Sequence, residues 1–169
     1  MSLEGRELRA LCTHRERPGP QWDKRRRVSE LATGPWRDFV DLDNDIPCDR
    51  FFPTLRRYAF TLCVTGGGLD PSPKAWMAIL AGSIPVIESN PMTRAYDGLP
   101  VAVIDRWEEG ALDPARMAAW LEELRPWHED PIRRAAVVRR LALGPWWRMI
   151  RSAAAAPVER RGGLWSPQW

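Results

Sequence analysis

The chain has 169 residues, a formal charge of +3 and an ordinary apolar content, which is the size of one domain with a real core and short for two. Three widely separated cysteines fit neither the paired spacing of a zinc site nor a disulfide scaffold, and the mild positive balance does not single out nucleic acid as a partner. No stretch reaches the apolar length that crosses a bilayer, and the charged opening MSLEGRELRA is no secretory signal.

Residues 1–35 are polar, arginine-rich and broken by RPGP and TGP, and they read as a partly disordered arm. Lys24–Arg27 is its densest charge run, expected as a solvated helix face or mobile segment rather than a polyanion site. WRDFVDL (36–42) alternates enough for a short strand, so the ordered domain is expected over 36–155. FFPTLRRY predicts a short helix leading into FTLCV (60–64), a compact apolar run of the kind buried in parallel sheets. A glycine loop, a helix over 73–81 and the strand IPVIE (84–88) follow, then a helical segment around MTRAYDG and a third strand, VAVID (101–105).

Strands and helices alternating at this spacing predict an α/β fold, a parallel sheet with flanking helices. Asp113 and Pro114 then carry the cap and first-turn signals of a helix whose Met117, Trp120, Leu121 and Leu124 share one face. Asp130 and Pro131 repeat that start, opening an arginine-rich helix that LGP interrupts at Gly144 and that resumes through WWRMIRSAAAA. Its Arg133, Arg134, Arg139 and Arg140 are expected in solvent. Residues 156–169 read as a loose tail, and His14 and His128, with no second histidine at ligand spacing, read as structural rather than metal-binding.

The chemistry concentrates in TLCVTGGGLDPSPKAWMAILAG. Gly66, Gly67 and Gly68 stand at the carboxyl end of a strand, where ligands settle in doubly wound sheets. Without side chains they allow close backbone approach and left-handed conformations, while Ser72 adds a hydroxyl, Lys74 a cation and the next helix its free N–H groups. The pattern is neither a P-loop nor GxGxxG, so a plain strand-to-helix turn is the competing reading. Trp76 and Met77 read as core in an almost wholly apolar helix. Glu88, ending its strand, suits a substrate hydroxyl or the cap of the next turn equally well.

YAFTLCVTGGGLDPSPKAW from Tyr58, followed by GSIPVIES, YDGLPVAVID and Trp107, resembles the C-terminal region of exostosin-like glycosyltransferases, nearest the ribitol xylosyltransferase-like branch. The match spans residues 58 to 107, in the family's order and nearly its spacing. It implies the Rossmann-like, donor-binding half of a GT-B glycosyltransferase, with no metal or other cofactor. Gly66–Gly68 and Lys74 would attend the diphosphate of a uridine diphosphate sugar, and Glu88 would border the sugar or ribose. A glycan or glycoprotein would be the acceptor, presented by a partner acceptor domain, and the family resemblance would place a longer protein in the Golgi.

Met77 stands where the family has a glutamate, and no residue is identified as the catalytic base. Two readings follow: a glycosyltransferase domain, active or weakened, and a non-catalytic binding module derived from one. A nucleic-acid-binding role ranks below both, because no aromatic residues interleave with Lys24–Arg27 in a stacking pattern.

Overall fold

Short apolar runs set between helical segments leave the backbone one economical solution, strands side by side with helices packed on both faces. The computed structural model describes residues 3, 5–70 and 73–155 and has this arrangement. Five strands, β1 (Glu7–Cys12), β2 (Val40–Leu42), β3 (Tyr58–Leu62), β4 (Ile84–Glu88) and β5 (Ala102–Ile104), form one sheet in the order β2-β1-β3-β4-β5. Every pairing is parallel. The fold is therefore α/β and Rossmann-like, of the doubly wound kind.

Among the described residues six α-helices accompany the sheet: α1 (Asp23–Thr33), α2 (Cys48–Arg57), α3 (Lys74–Ala81), α4 (Pro114–Glu129), α5 (Pro131–Leu141) and α6 (Leu143–Ala155). On one face, Val28 and Leu31 of α1 and Met117 and Leu124 of α4 cover Phe60, Leu62, Ile84, Val86 and Ile104. On the other, Leu55 of α2 and Ala81 of α3 pack with Leu11, while Ala75 and Ile79 of α3 pack with Cys63 and Ile87. Coverage on both sides explains why β3 and β4 read as unbroken apolar runs. A buried hydroxyl pair, Thr61 Oγ1 and Ser83 Oγ at 2.8 Å, is the polar exception between them.

The helix boundaries follow their punctuation. Gly82 ends α3 in the left-handed region (φ 81°), its N–H bonding the carbonyls of Ala78 and Ile79. The Asp113 side chain accepts from Arg116 N at 2.8 Å to start α4, and Asp130 accepts from Ile132 N at 2.7 Å to start α5. The break after α5 falls at the extended Ala142, and Gly144 is taken into the first turn of α6. Arg133, Arg139 and Arg140 are exposed. Arg134 is half-buried because it donates to the carbonyls of Ile79 and Leu80, both at 3.0 Å, at the end of α3. Arg6 joins it there, donating to Ala81 O at 3.0 Å and Tyr58 O at 3.3 Å. Two guanidinium groups thus satisfy carbonyls that a helix end leaves open.

Residues 1–35 correct the expectation of an arm. Residues 7–12 are an inner strand, and 23–33 a helix on the sheet. Ala10, Leu11 and Cys12 are completely buried, and that apolar stretch is too short to stand out beside the charges around it. Those charges are spent at the rim: Arg9 Nε reaches Asp41 at 3.0 Å, and Arg57 pairs with Glu7 at 2.8 Å. The strand expected over 36–42 is confined to 40–42, since Trp36 turns inward, donating to Glu109 O at 2.9 Å and meeting Trp107 edge-on at 6.4 Å. Residues 156–169 lie outside the described part.

Placing β1 inside the sheet has a measurable consequence. Leu11→Ala should lower stability by about 2–5 kcal/mol, the cost of emptying a core leucine site. Leu8→Ala, at a position 50% exposed in the same strand, should change it by less than about 0.5 kcal/mol. Urea unfolding of both variants checks the pair, and equal effects would place β1 outside the core.

Candidate functional site

The chain leaves β1 toward α1 on one face of the sheet and leaves β3 toward α3 on the other, so the two connections part above the carboxyl ends of adjacent strands. Doubly wound folds hold ligands at this divide. A cleft of about 820 Å³ opens beside it. Its walls are the segment Thr13–Arg17 after β1, the segment Asn44–Ile46 after β2, Cys48 and Phe51 of α2, and Lys74 and Met77 of α3.

Lys74 occupies the first position of α3 and is half-buried, its Nζ donating to the carbonyl of Thr13. Burial is the main influence on it and pulls its pKa below the usual lysine value. Met77, one turn along, lies against the Leu11–Leu55–Tyr58 cluster and also reaches the cleft. Arg15 and Arg17 are exposed on the facing wall. With Lys74 they bring three cations to the cleft, while Ile46, Phe51 and Met77 supply apolar surface and Glu16 and Asp45 supply carboxylates. Such a cleft suits a ligand that joins an anionic group to a flat or apolar moiety.

The loop carrying Arg15 and Arg17 is held by a buried polar chain. His14 N donates to Asn44 Oδ1 at 2.8 Å, and His14 Nε2 lies 3.0 Å from both Arg25 O and Ser29 Oγ. Facing a carbonyl, Nε2 carries the proton, which leaves Nδ1 to receive the thiol of Cys12 at 3.9 Å. Ser29 in turn donates to Glu16. Burial, then the charges of Lys74 and Arg25, pull the imidazole pKa down to about 4, so His14 is neutral near pH 7. Burial likewise pushes the Cys12 and Cys63 thiols up to about 12. A thiol so shifted is held protonated near pH 7, and it is His14, through Asn44, Arg25 and Ser29, that positions the wall.

The glycine run stands beside the cleft and does not line it. A Cβ on Gly66 would come within 2.7 Å of the Trp22 ring and 2.9 Å of the Arg25 guanidinium, so a larger residue there would have to displace the protein's own packing. Arg25 lies 4.7 Å from the Trp22 ring centroid, and Arg17 lies 5.6 Å from it. None of the three glycines uses the left-handed conformation open to it, and Gly67 and Gly68 have open space around them. Ser72 lies outside the described residues.

Glu88 has its side chain 13% exposed, ion-paired to Lys24 of α1 and accepting from Trp107 N at 3.3 Å. It ties α1, β4 and the turn after β5 together, away from the cleft lining. Trp76 is a packing anchor, stacked on Tyr96 with ring centroids 4.4 Å apart. Of the residues expected at a site, the structure thus brings Lys74 and Met77 together. It adds Arg15, Arg17, Asn44 and Phe51, whose signal is their place just beyond strand ends or in the helix that follows, on strands the sequence shows faintly.

No family model matches the chain, and a search of curated proteins finds no match.

His14 and the buried His128 of α4 both have pKa values pulled down to about 4, mainly by burial. The unfolded chain binds more protons than the folded one between that value and the ordinary histidine value near 6.5. Stability should therefore be fully present above about pH 6.5 and fall toward pH 4, by up to about 1.4 kcal/mol per pH unit for each histidine. Urea unfolding between pH 7 and pH 5 should show this slope, and His14→Gln should remove about half of it. An unchanged slope in the variant would mean that His14 is not the buried neutral group described.

Proposed function

We propose that the protein is a donor-binding domain of the glycosyltransferase type, holding a nucleoside diphosphate sugar in the cleft between the segment after β1 and the start of α3. The observation that carries this reading is the placement of Lys74. The lysine of the motif that resembles exostosin-like enzymes projects from a helix start into a cleft that also presents Arg15, Arg17 and an aromatic side chain. Lys74, Arg15 and Arg17 take the diphosphate, with Gly67 and Gly68 open to it from the neighbouring loop. Phe51, Ile46 and Met77 form the apolar wall for the base or sugar.

In the transfer itself, the bond between the anomeric carbon and the diphosphate oxygen breaks as an acceptor hydroxyl adds to that carbon and loses its proton. The cations lower the barrier by meeting charge as it develops on the leaving diphosphate. A GT-B partner domain facing the cleft would present the glycan acceptor and the base. Glu88, engaged by Lys24 and the Trp107 amide, supports the fold in this reading rather than bordering the sugar. Lys24, Arg26 and Arg27 each face a carboxylate, from Glu88, Asp23 and Glu30, which leaves this run less free charge to offer a polyanion.

One observation favours the second reading, a non-catalytic module derived from such an enzyme. Met77 occupies the cleft wall at the family's glutamate position, and a thioether offers a ribose hydroxyl only a weak acceptor.

Lys74→Ala should weaken binding of a uridine diphosphate sugar by about 1–3 kcal/mol in calorimetry, the loss expected for a hydrogen bond to a charged group. The same weak affinity before and after the change would mean that the phosphates bind elsewhere. Because Met77 is half-buried at the cleft, Met77→Glu should strengthen donor binding about tenfold to a hundredfold with little loss of stability. Thermal unfolding with and without the donor separates the readings. A variant stabilised by ligand supports a donor site, and one indifferent to ligand supports the binding module.

A further inference from the structure

The helices beyond the sheet carry a surface that neither the core nor the cleft uses. From Pro131 to Ala155 the chain has six arginines, Arg133, Arg134, Arg139, Arg140, Arg148 and Arg151, and no aspartate, glutamate or lysine. Arg134 is committed to the end of α3, and Arg133 faces Asp130 at 3.7 Å. The other four are exposed and have no ion-pair partner among the described residues.

Apolar side chains stand out beside them. α6 buries none of its residues completely, and its inner contact is Trp146, edge-on to Trp76 at 6.0 Å. Leu143, Trp147, Ile150 and Ala154 recur at i, i+4, i+7 and i+11, a single stripe along the helix. Leu143 is 81% exposed, Trp147 57% and Ile150 54%, so the stripe faces solvent. Arg151, one turn on from Trp147, borders the stripe, and Arg148 and Ser152 lie farther round the helix.

We infer that α6, with the arginines of α5, is a membrane-surface element that lays the Leu143–Trp147–Ile150 stripe into the headgroup region of an anionic bilayer. Charge complementarity selects this occupant: Arg151 borders the stripe, Arg148 lies farther round α6 and Arg140 stands beside Trp146, none of them ion-paired among the described residues, and the cytoplasmic type of anionic lipid surface supplies the opposite sign over a broad area. At 13 residues α6 is too short to cross a bilayer, and no described helix is long and apolar enough to do so. Lying in the interface is what its alternation of arcs allows. The inference is independent of the cleft and of what binds there.

The test is flotation of the full chain with phosphatidylcholine vesicles containing about one-third phosphatidylserine, and with phosphatidylcholine alone. The protein should float with the anionic vesicles at low salt, lose at least about tenfold of that binding at high salt, and bind neutral vesicles weakly. Arg148→Gln with Arg151→Gln should weaken binding roughly 25-fold, about fivefold for each arginine near the surface. Leu143→Ser with Trp147→Ser and Ile150→Ser should abolish it. All five side chains are exposed, and circular dichroism should show the fold unchanged in both variants. Absence of binding to anionic vesicles, or equal and salt-independent binding to both kinds, would overturn the inference. So would loss of binding with the arginines alone while the serine variant still floats, which is the signature of a general polyanion site. A dimer in light scattering that the serine variant converts to monomer would instead assign the stripe to a second copy of the chain and overturn the membrane role.

Discussion

β1 is hydrogen-bonded on both sides, with Ala10, Leu11 and Cys12 opposite Val40, Asp41 and Leu42 in one direction and opposite Phe60, Thr61 and Leu62 in the other. A strand so placed has no free edge, and its short apolar stretch disappears completely from solvent. The chain that leaves it emerges between β2 and β3, and the helices that follow β1 and β3 go to opposite faces. The cleft is the geometric residue of that parting. Move β1 to an edge, and Thr13–Arg17 would no longer face Lys74.

The parts of the fold that sequence made legible are those where pattern and punctuation agree. IPVIE is a strand from Ile84 to Glu88 as expected, because both its faces are covered and every side chain can be apolar. Asp113-Pro114 and Asp130-Pro131 begin helices as expected, because a carboxylate cap and a proline at the first position act locally. β1 was hidden for the opposite reason. Glu7 and Arg9 keep partial exposure at the rim and pair with Arg57 and Asp41, partners far along the chain that no local pattern announces.

The candidate site inherited that blindness. Much of its lining follows β1 and β2, so reading residues 1–35 as an arm put the Thr13–Arg17 wall out of view. The glycine run drew attention for a sound reason, yet the structure gives Gly66 to an internal Trp22–Arg25 stack. Lys74 was legible as a cation near a helix start, and its setting adds something composition could not. A lysine at that end opposes the helix dipole, and its partial burial and lowered pKa point the same way. The Thr13 carbonyl meets one of its protons; an anion arriving in the cleft would relieve the rest of the conflict.

The register of β1 also governs how the molecule is assembled in time. Ala10 must find Val40 and Phe60, and neither neighbour exists until a helix has been laid down in between. First of the sheet's strands in chain order, β1 cannot be paired on both sides until β2 and β3 have followed it, and each pairing closes a long loop before any burial rewards it. Until Phe60 has emerged, Leu11 and Cys12 wait in the open, and a nascent chain halted short of β3 would carry an unpaired strand edge exposed to whatever lies nearby.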